Sequence, residues 1–244
     1  MKTYGIIGYP LTHSFSQQHF TEKIAREGIT DAVFNVFPLT SIEEFPALLN
    51  NHPALKGLAV TIPYKEKILQ YISDLSEEVK QIGAANCIRI KGDELTAFNT
   101  DILGFERSFI KKLKPQHKKA LVLGTGGASK AVQYVLKKLG IEFLVVSRYA
   151  AENLIRYADL TDAIIQDHNI IINSTPLGMS PAADTCPDIP YHLLTADHYL
   201  YDLVYAPAKT LFLQKGEACG ATIENGFEML IIQAEENWSI WNEG

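Results

Sequence analysis

A glycine-rich turn in the middle of the chain limits the possible folds more than any other part of the sequence. The apolar run 120–123 leads into the turn, and a helix is predicted to follow from Ala128 to Leu139. Glycines let a backbone approach a pyrophosphate closely, and the N-terminus of a helix offers N–H groups and a positive dipole to it. The order of strand, turn and helix predicts a dinucleotide-binding unit rather than a glycine turn without a ligand. The residues predicted at the phosphates are Gly124, Thr125, Gly126, Gly127 and Ala128.

The position of the turn predicts two domains. More than a hundred residues precede it, and their alternating strand and helix signals predict an α/β domain with a mixed sheet. Further alternation up to residue 223 predicts a doubly wound, Rossmann-type sheet, with a short helix near 153–157. A last helix is predicted over 227–242. The predicted boundaries are 1–101 together with 226–244 for the first domain, and 102–225 for the second.

Composition and charge argue against several classes of protein. Of the 244 residues, 47% are apolar and 20% charged, which is typical of a folded globular protein. The net charge of −6 argues against a nucleic-acid or anionic-membrane partner, and no apolar run approaches the ~20 residues that span a bilayer. Three cysteines without CxxC spacing and the lack of a signal peptide predict a cytoplasmic protein. The seven histidines lack metal-ligand spacing, so no metal is expected.

The end of the second strand of the dinucleotide unit bears on the choice of cofactor. NAD enzymes usually place an acidic residue there to bind the ribose hydroxyl, whereas this chain has Ser147 and Arg148. A hydroxyl and a planar cation suit a 2′-phosphate, which predicts NADP(H). The alternative is that Arg148 is an ordinary solvated side chain.

Polar side chains also follow the predicted strands of the first domain. Ser14 and Ser16 lie two apart, so in an extended segment both would face a carboxylate; alternatively Ser16 is an ordinary N-cap that opens the next helix. Lys65 and Asp101 each come just after a strand, where open α/β sheets present catalytic groups. Either charge alone would usually be a solvated surface group, so their interpretation depends on the combination.

Short motifs along the whole chain occur in the order found in one enzyme family. The motifs are Gly8–Pro10, His13–Ser16, Val60–Lys65, Gly83–Asn86, Asn99–Asp101, Gly124–Ser129, Asn173–Met179, Tyr201–Tyr205 with Pro207, and Asn225–Gln233. In these motifs and their order, the chain resembles the shikimate dehydrogenases. The resemblance implies an oxidoreductase that reversibly reduces 3-dehydroshikimate to shikimate with NADPH, in the biosynthesis of chorismate and aromatic amino acids. It also implies a small-molecule substrate and a monomer or a homodimer.

The resemblance also implies a role for individual residues. It makes the first domain the substrate-binding and catalytic one, with Lys65 as the proton-transfer group paired with Asp101. Ser14 and Ser16 would hold the substrate carboxylate, and Tyr205 would close the pocket near it. Glu77 would lie near the cofactor. The residues implied to bind ring hydroxyls are Thr61, Asn86, Asp101 and Gln233, and those implied near the nicotinamide are Leu203 and Gly226.

Several positions depart from the family pattern. Ala59 stands where the family commonly has Asn, and Cys87 where it usually has Thr. Ser129 takes the place of the third glycine or alanine of the dinucleotide fingerprint. Two alternatives stay open: a quinate/shikimate dehydrogenase with relaxed substrate or NAD use, and a non-catalytic NADP-binding sensor. The proton-transfer pair speaks against the sensor, since a sensor has no need of it.

Overall fold

A computed structural model describes residues 1–11, 14–149 and 151–243. The chain divides into two compact units, Met1–Thr100 with Ala234–Gly244, and Asp101–Gln233. The chain therefore passes from the second unit back to the first inside the last helix, at Ala234. This point lies eight residues beyond the predicted boundary at residue 226. The first half of that helix groups with the second unit because it packs against Gly104, where an added Cβ would lie 2.6 Å from the Met229 carbonyl oxygen. The assignment of substrate and cofactor domains to these units stays a prediction.

The first unit is built on a six-stranded mixed sheet. Its strands follow the order β2-β1-β3-β5-β6-β4, in which β1 is parallel to β2 and β3, and β5 is antiparallel to β3 and β6. The mixed sheet predicted from the sequence is confirmed. Its elements are β1 (Lys2–Gly8), α1 (Phe15–Arg26), β2 (Ala32–Pro38), α2 (Phe45–Asn51), β3 (Leu55–Val60), β4 (Asp74–Leu75), α3 (Glu77–Ile82), β5 (Cys87–Lys91) and β6 (Glu94–Phe98).

Both faces of this sheet are covered, which explains why its central strands are apolar on both sides. One face packs on a core that includes Ile7, Leu58 and Ile88, and the other packs on a second core with Trp241 from the last helix. Gly57 of β3 makes the second contact possible, since a Cβ there would lie 2.2 Å from the Trp241 ring. The end of the chain is thereby fixed to the sheet of the first unit.

The second unit is built on a six-stranded parallel sheet. The strand order is β12-β11-β10-β7-β8-β9, and each neighbouring pair is parallel, so the predicted doubly wound arrangement is confirmed. Its elements are α4 (Asp101–Phe109), β7 (Lys119–Leu123), α5 (Gly127–Lys138), β8 (Glu142–Ser147), β9 (Leu154–Arg156), α6 (Asp162–Asp167), β10 (Ile170–Asn173), β11 (Tyr199–Asp202), α7 (Leu211–Ala218), β12 (Thr222–Asn225) and α8 (Phe227–Asn242).

The helix predicted near 153–157 is wrong. Asn153 has a φ of 61°, in the left-handed region, which is incompatible with the interior of a helix. The following residues form β9, which pairs with the end of β8 so that Arg156 lies opposite Ser147. A 3₁₀ turn over Tyr157–Asp159 follows the strand.

No helix among the described residues combines the length and the apolar character needed to cross a membrane.

Candidate functional site

The loops that leave β1 and β3 are joined at the carboxyl edge of the first sheet. The Thr61 N–H donates to the Ile7 carbonyl at 3.0 Å, and the Tyr9 N–H donates to the Ile62 carbonyl at 3.0 Å. These bonds extend the pairing of the two strands beyond their ends. The half-buried Thr61 therefore lies on a fixed backbone beside the loop that leads to Ser14.

Lys65 follows a turn that is held in place by a buried hydrogen bond. The Tyr64 N–H closes the turn on the Thr61 carbonyl at 2.9 Å, and the buried Tyr64 hydroxyl donates to the Leu39 carbonyl at 2.6 Å. The Lys65 carbonyl accepts from the Ala85 N–H at 2.7 Å, next to Asn86. The backbone at Lys65 is thus held beside the segment that carries Asn86, with the lysine side chain partly buried.

Asn86 belongs to a buried group of uncharged side chains, here called the neutral cluster, made of Asn86, Thr100 and Asn237. The Asn86 amide oxygen accepts from the Thr100 N–H at 2.7 Å, and its NH₂ donates to the Thr100 hydroxyl at 3.0 Å. That hydroxyl donates to the Asn237 amide oxygen at 2.7 Å. Sequence reasoning missed Thr100 and Asn237 as positioning residues, although Thr100 lies inside the Asn-Thr-Asp motif that pointed to Asp101.

The two serines are placed differently from each other. Ser14 is the N-cap of α1 in an extended conformation, and its hydroxyl oxygen accepts from the Gln17 N–H at 3.3 Å. Ser16 is buried within the first turn of α1, so the expectation of one extended segment is wrong for it. The alternative of an N-cap at Ser16 is also wrong, since the cap is Ser14. Capping uses the Ser14 oxygen as an acceptor, whereas a carboxylate would take the hydroxyl proton, so the two roles are compatible at Ser14. Thr12 and His13 of this motif lie outside the described residues.

The two departures from the family pattern are partners in the first sheet. Ala59 of β3 lies directly opposite Cys87 of β5, and both are buried in the core that contains Trp241. Burial raises the pKa of the Cys87 thiol, which is a small apolar group in this setting. At these two positions the family pattern has polar residues, and this chain has an apolar pair. Because both polar residues are replaced together, neither is left facing an apolar partner.

The remaining predicted substrate residues lie in the second unit. Asp101 is the first residue of α4 and is buried. Gln233 lies on α8, where its amide donates to the Leu230 carbonyl at 2.9 Å. Tyr205 follows β11 and is half-buried, which raises the pKa of its phenol. A site that unites these residues with Lys65 stays a prediction.

The glycine-rich turn leaves space at the N-terminus of α5. Gly124 has a φ of +110°, and an added Cβ would lie 2.9 Å from the Ser174 hydroxyl oxygen. Gly126 is the N-cap of α5, no side chain caps it, and a Cβ there would meet open space. The first turn of α5 is thus directed at a space that a phosphate could fill. The turn is stabilised by Ser129, whose buried hydroxyl donates to the Gly124 carbonyl at 2.7 Å. This bond gives the departure at Ser129 a structural role.

The residues predicted to bind the 2′-phosphate lie at the end of β8. The Ser147 hydroxyl accepts from the Tyr149 N–H at 3.2 Å. The Arg148 guanidinium is exposed, with its central carbon 5.6 Å from the centre of the Tyr149 ring. Glu77, implied to lie near the cofactor, is exposed at the start of α3 and pairs with Lys80 at 2.6 Å.

Leu203 and Gly226, both predicted near the nicotinamide, are brought together by the structure. An added Cβ on Gly226 would lie 2.1 Å from the Leu203 carbonyl oxygen, so only glycine fits there. The Gly226 N–H also donates to the Val204 carbonyl at 3.3 Å. These contacts hold the loop after β11 against the start of α8.

A buried carboxylate organises the loops after β10 and β11. It belongs to what is here called the carboxylate cluster, made of Asp202, Asn173 and Thr210. One Asp202 oxygen accepts from the Asn173 amide at 2.9 Å and from the Val204 N–H at 3.0 Å, and the other accepts from the Thr210 hydroxyl at 2.5 Å. Burial outweighs these bonds and raises the pKa of Asp202 to about 6. Sequence reasoning did not identify this group, although Asp202 lies inside a quoted motif.

Comparisons with known proteins agree with this arrangement. Residues 6–88 match the family model described as the shikimate dehydrogenase substrate binding domain. The chain is 34% identical to the shikimate dehydrogenase (NADP(+)) of Caldicellulosiruptor saccharolyticus over 258 residues, which is 99% of this chain and 92% of that protein.

The chain is also similar to solved structures of two dehydrogenases. The shikimate 5-dehydrogenase of Thermus thermophilus, in complex with NADP(H) and shikimate, has a TM-score of 0.87 at 27% identity, covering 99% of this chain and 94% of that one. A quinate dehydrogenase from Corynebacterium glutamicum, in complex with NAD, has a TM-score of 0.86 at 25% identity, covering 99% and 93%. On the strength of a full-length relationship above 30% identity, the chain belongs to the shikimate dehydrogenase family.

Proposed function

We propose that this chain catalyses the reversible NADPH-dependent reduction of 3-dehydroshikimate to shikimate, in the biosynthesis of chorismate and aromatic amino acids. The observation that carries the proposal is the fixed placement of Thr61, Lys65 and Asn86 at one edge of the first sheet, in a chain with a full-length shikimate dehydrogenase relative. We further propose a cytoplasmic enzyme that acts as a monomer or a homodimer.

Lys65 is the proposed proton-transfer group. When bound, NADPH supplies the hydride that reduces the ketone carbon, which leaves a negative charge on its oxygen. The Lys65 ammonium stabilises that charge and donates the proton; in the reverse direction the neutral amine accepts the proton of the alcohol. Asp101 is proposed to orient both Lys65 and a ring hydroxyl. General acid–base catalysis of this kind contributes roughly 10²–10⁴-fold.

Polar side chains, all but Asp101 uncharged, are proposed to orient the substrate. The Ser14 and Ser16 hydroxyls donate to the carboxylate, with Tyr205 near it. Neutral amide and hydroxyl groups suit ring hydroxyls, since each can both donate and accept. Asn86 is supported in this role by the neutral cluster, which fixes its amide orientation. The ring hydroxyls are assigned to Thr61, Asn86, Asp101 and Gln233.

The residues of the second unit fit NADP(H). The uncapped first turn of α5 suits the pyrophosphate, and the open space at Gly126 leaves room for it. Ser147 and Arg148 are proposed to bind the 2′-phosphate, and Leu203 and Gly226 to lie against the nicotinamide. The proposed pyrophosphate ligands are Gly124, Thr125, Gly126, Gly127 and Ala128.

The proposal is tested by following NADPH absorbance with 3-dehydroshikimate, and NADP⁺ reduction with shikimate. Each assay is repeated with NADH or NAD⁺, and the oxidation assay also with quinate. We expect the highest kcat/KM for shikimate with NADP⁺. A higher kcat/KM for quinate with NAD⁺ would favour the second candidate, which the likeness to a quinate dehydrogenase brings into consideration. NADPH binding without any turnover would favour the sensor.

A further inference from the structure

A cavity of about 480 Å³ opens in the second unit, near the ends of β8 and β9. Two arginines line it, Arg148 after β8 and Arg156 at the end of β9, together with Tyr157, Leu177 and Asp188. Two guanidinium groups at one cavity are typical of a site for a phosphate or a carboxylate, because their planar N–H groups match those anions.

The strand pairing explains how Arg156 comes to share a cavity with Arg148. Because β8 and β9 are parallel and Ser147 lies opposite Arg156, the two strands end at the same edge of the sheet. In the sequence, Arg156 is the first Lys or Arg after Arg148. The pairing of β9 with the end of β8 therefore places a second cation beside the residues already proposed to bind the 2′-phosphate.

Arg156 is held in position by a neighbouring carboxylate. Its Nε donates to one Asp159 oxygen at 2.8 Å and its Nη2 donates to the other at 2.7 Å. This pair uses two of the five N–H groups of a guanidinium, and it restrains the long side chain before any ligand binds. An arginine fixed in this way loses less conformational entropy when it contacts an anion.

A phenol in the same cavity also has capacity for a ligand. The Tyr157 hydroxyl is buried and has no hydrogen-bond partner among the described residues, which is costly unless a ligand or water supplies one. Asp188 is the acidic group in the lining, and with Asp159 it offsets the positive charge of the arginines. With two arginines and two aspartates this region has no excess positive charge, so binding of an anion here depends on the N–H and O–H donors.

We propose that Arg156 is a second ligand of the 2′-phosphate of NADP(H), acting with Arg148 and Ser147, and that it thereby contributes to the choice of NADP(H) over NAD(H). The inference rests on the proposed function, since it assumes that the dinucleotide turn takes this cofactor. It assigns a specificity role to β9, an element that the sequence did not predict.

The test compares the dissociation constants of NADPH and NADH for the wild-type protein and for Arg156→Gln at one ionic strength. We expect the Kd of NADPH to rise about tenfold, the equivalent of ~1.4 kcal/mol, and the Kd of NADH to stay unchanged. Arg156→Lys should give a smaller rise, because an ammonium keeps the charge but not the planar fork. Lys119→Gln is the matched control: it removes another cation of this unit, paired with Asp167 at 2.7 Å and absent from the cavity lining, and should change neither Kd.

The outcomes separate this inference from the function on which it rests. If the wild-type protein binds and uses NADH as well as NADPH, the proposed cofactor preference fails, and the role of Arg156 fails with it. If the wild-type protein prefers NADPH but Arg156→Gln and Arg156→Lys leave the NADPH to NADH ratio of Kd values unchanged, the inference alone is overturned. An equal loss of both cofactors also overturns it, because Arg156 would then contact a part that both cofactors share.

Discussion

The two units support the loops at their strand ends with different buried groups. In the first unit the neutral cluster joins the start of β5, the end of β6 and helix α8 through amide and hydroxyl groups. In the second unit the carboxylate cluster joins the ends of β10 and β11 to the N-terminus of α7 through the charged oxygens of Asp202. Both clusters fix loops, but only the second one does so with a group that titrates near neutral pH.

The difference follows from what each group must satisfy. Amides and hydroxyls donate and accept, so three of them can satisfy one another without a charge. In the second unit Asn173 at the end of β10, together with the Val204 N–H and the Thr210 hydroxyl after β11, presents three donors. A carboxylate accepts from all three, but only at the cost of burying its charge. The second unit therefore gains tight loop positioning at the expense of a dependence on pH, which the first unit avoids.

The largest expected effect tests whether proton transfer depends on the first unit and NADPH binding on the second, as proposed. Replacing Lys65 with Met removes the proposed proton donor while keeping an apolar stem of similar length. We expect kcat to fall roughly 10²–10⁴-fold with little change in KM, and the Kd of NADPH to stay unchanged. Steady-state kinetics and NADPH titration measure the two quantities. Lys67→Met, two residues further on at an exposed position, is the control and should keep a normal kcat; a near-normal kcat for Lys65→Met would remove Lys65 from the chemistry.

The next effect compares the clusters directly through unfolding. Asp202→Ala leaves three buried donors without an acceptor, and we expect a loss of about 4 kcal/mol, since each such donor costs ~1–3 kcal/mol. Thr100→Val in the neutral cluster should cost less, about 2–3 kcal/mol, because the Thr100 N–H keeps its bond to Asn86 while two groups, the Asn86 NH₂ and the Asn237 amide oxygen, lose the hydroxyl. Chemical denaturation of both variants at one pH gives the comparison. Equal losses would show that the carboxylate is no more important to its cluster than the threonine hydroxyl is to the other.

A pH series isolates the charge itself. The pKa of Asp202 rises from 3.8 to about 6 on folding, so the folded state holds the proton more tightly than the unfolded state. This contribution to stability is fully present below pH ~4 and is lost as the pH rises through about 6, with a total on the order of 3 kcal/mol. The measurement is the difference in unfolding free energy between wild type and Asp202→Asn from pH 4 to pH 7. Asn keeps the shared acceptor and does not titrate, so a difference that is constant with pH would contradict the assignment.

The sequence predicted the architecture well where periodicity was long and failed where a single backbone conformation decided the outcome. The parallel sheet, the glycine-rich turn and the last helix follow from apolar patterns that extend over many residues. The strand β9 does not, because its formation depends on Asn153 adopting a left-handed conformation and on three residues joining the edge of β8. Such edge pairing is a tertiary effect that local propensity does not contain.

In the candidate site, too, local sequence patterns predicted some features, and contacts between distant residues decided the others. Motifs pointed to Lys65, Asn86 and Asp202 or to their immediate neighbours, because strand ends and loop residues can be recognised in a sequence. The partner of Asn86 on α8 is far away in the chain, so no local pattern could predict the bond that joins Thr100 to Asn237. Which motif residues support one another is information that only the hydrogen bonds of the folded chain provide.

The smallest expected effect concerns the apolar pair that the first unit has in place of the family's polar one. Ala59→Asn alone puts a polar amide into a buried site facing the Cys87 thiol, which should cost about 1–3 kcal/mol. Cys87→Thr alone should be destabilising for the same reason, because its hydroxyl would face Ala59. In the double variant the two polar groups lie opposite each other across the strands, so we expect the losses to be less than additive by about 1 kcal/mol. Unfolding free energies of the four proteins close the double-mutant cycle. Strict additivity would mean that the two departures arose independently of one another, and that the pair, unlike the clusters of the two units, is not a single energetic unit.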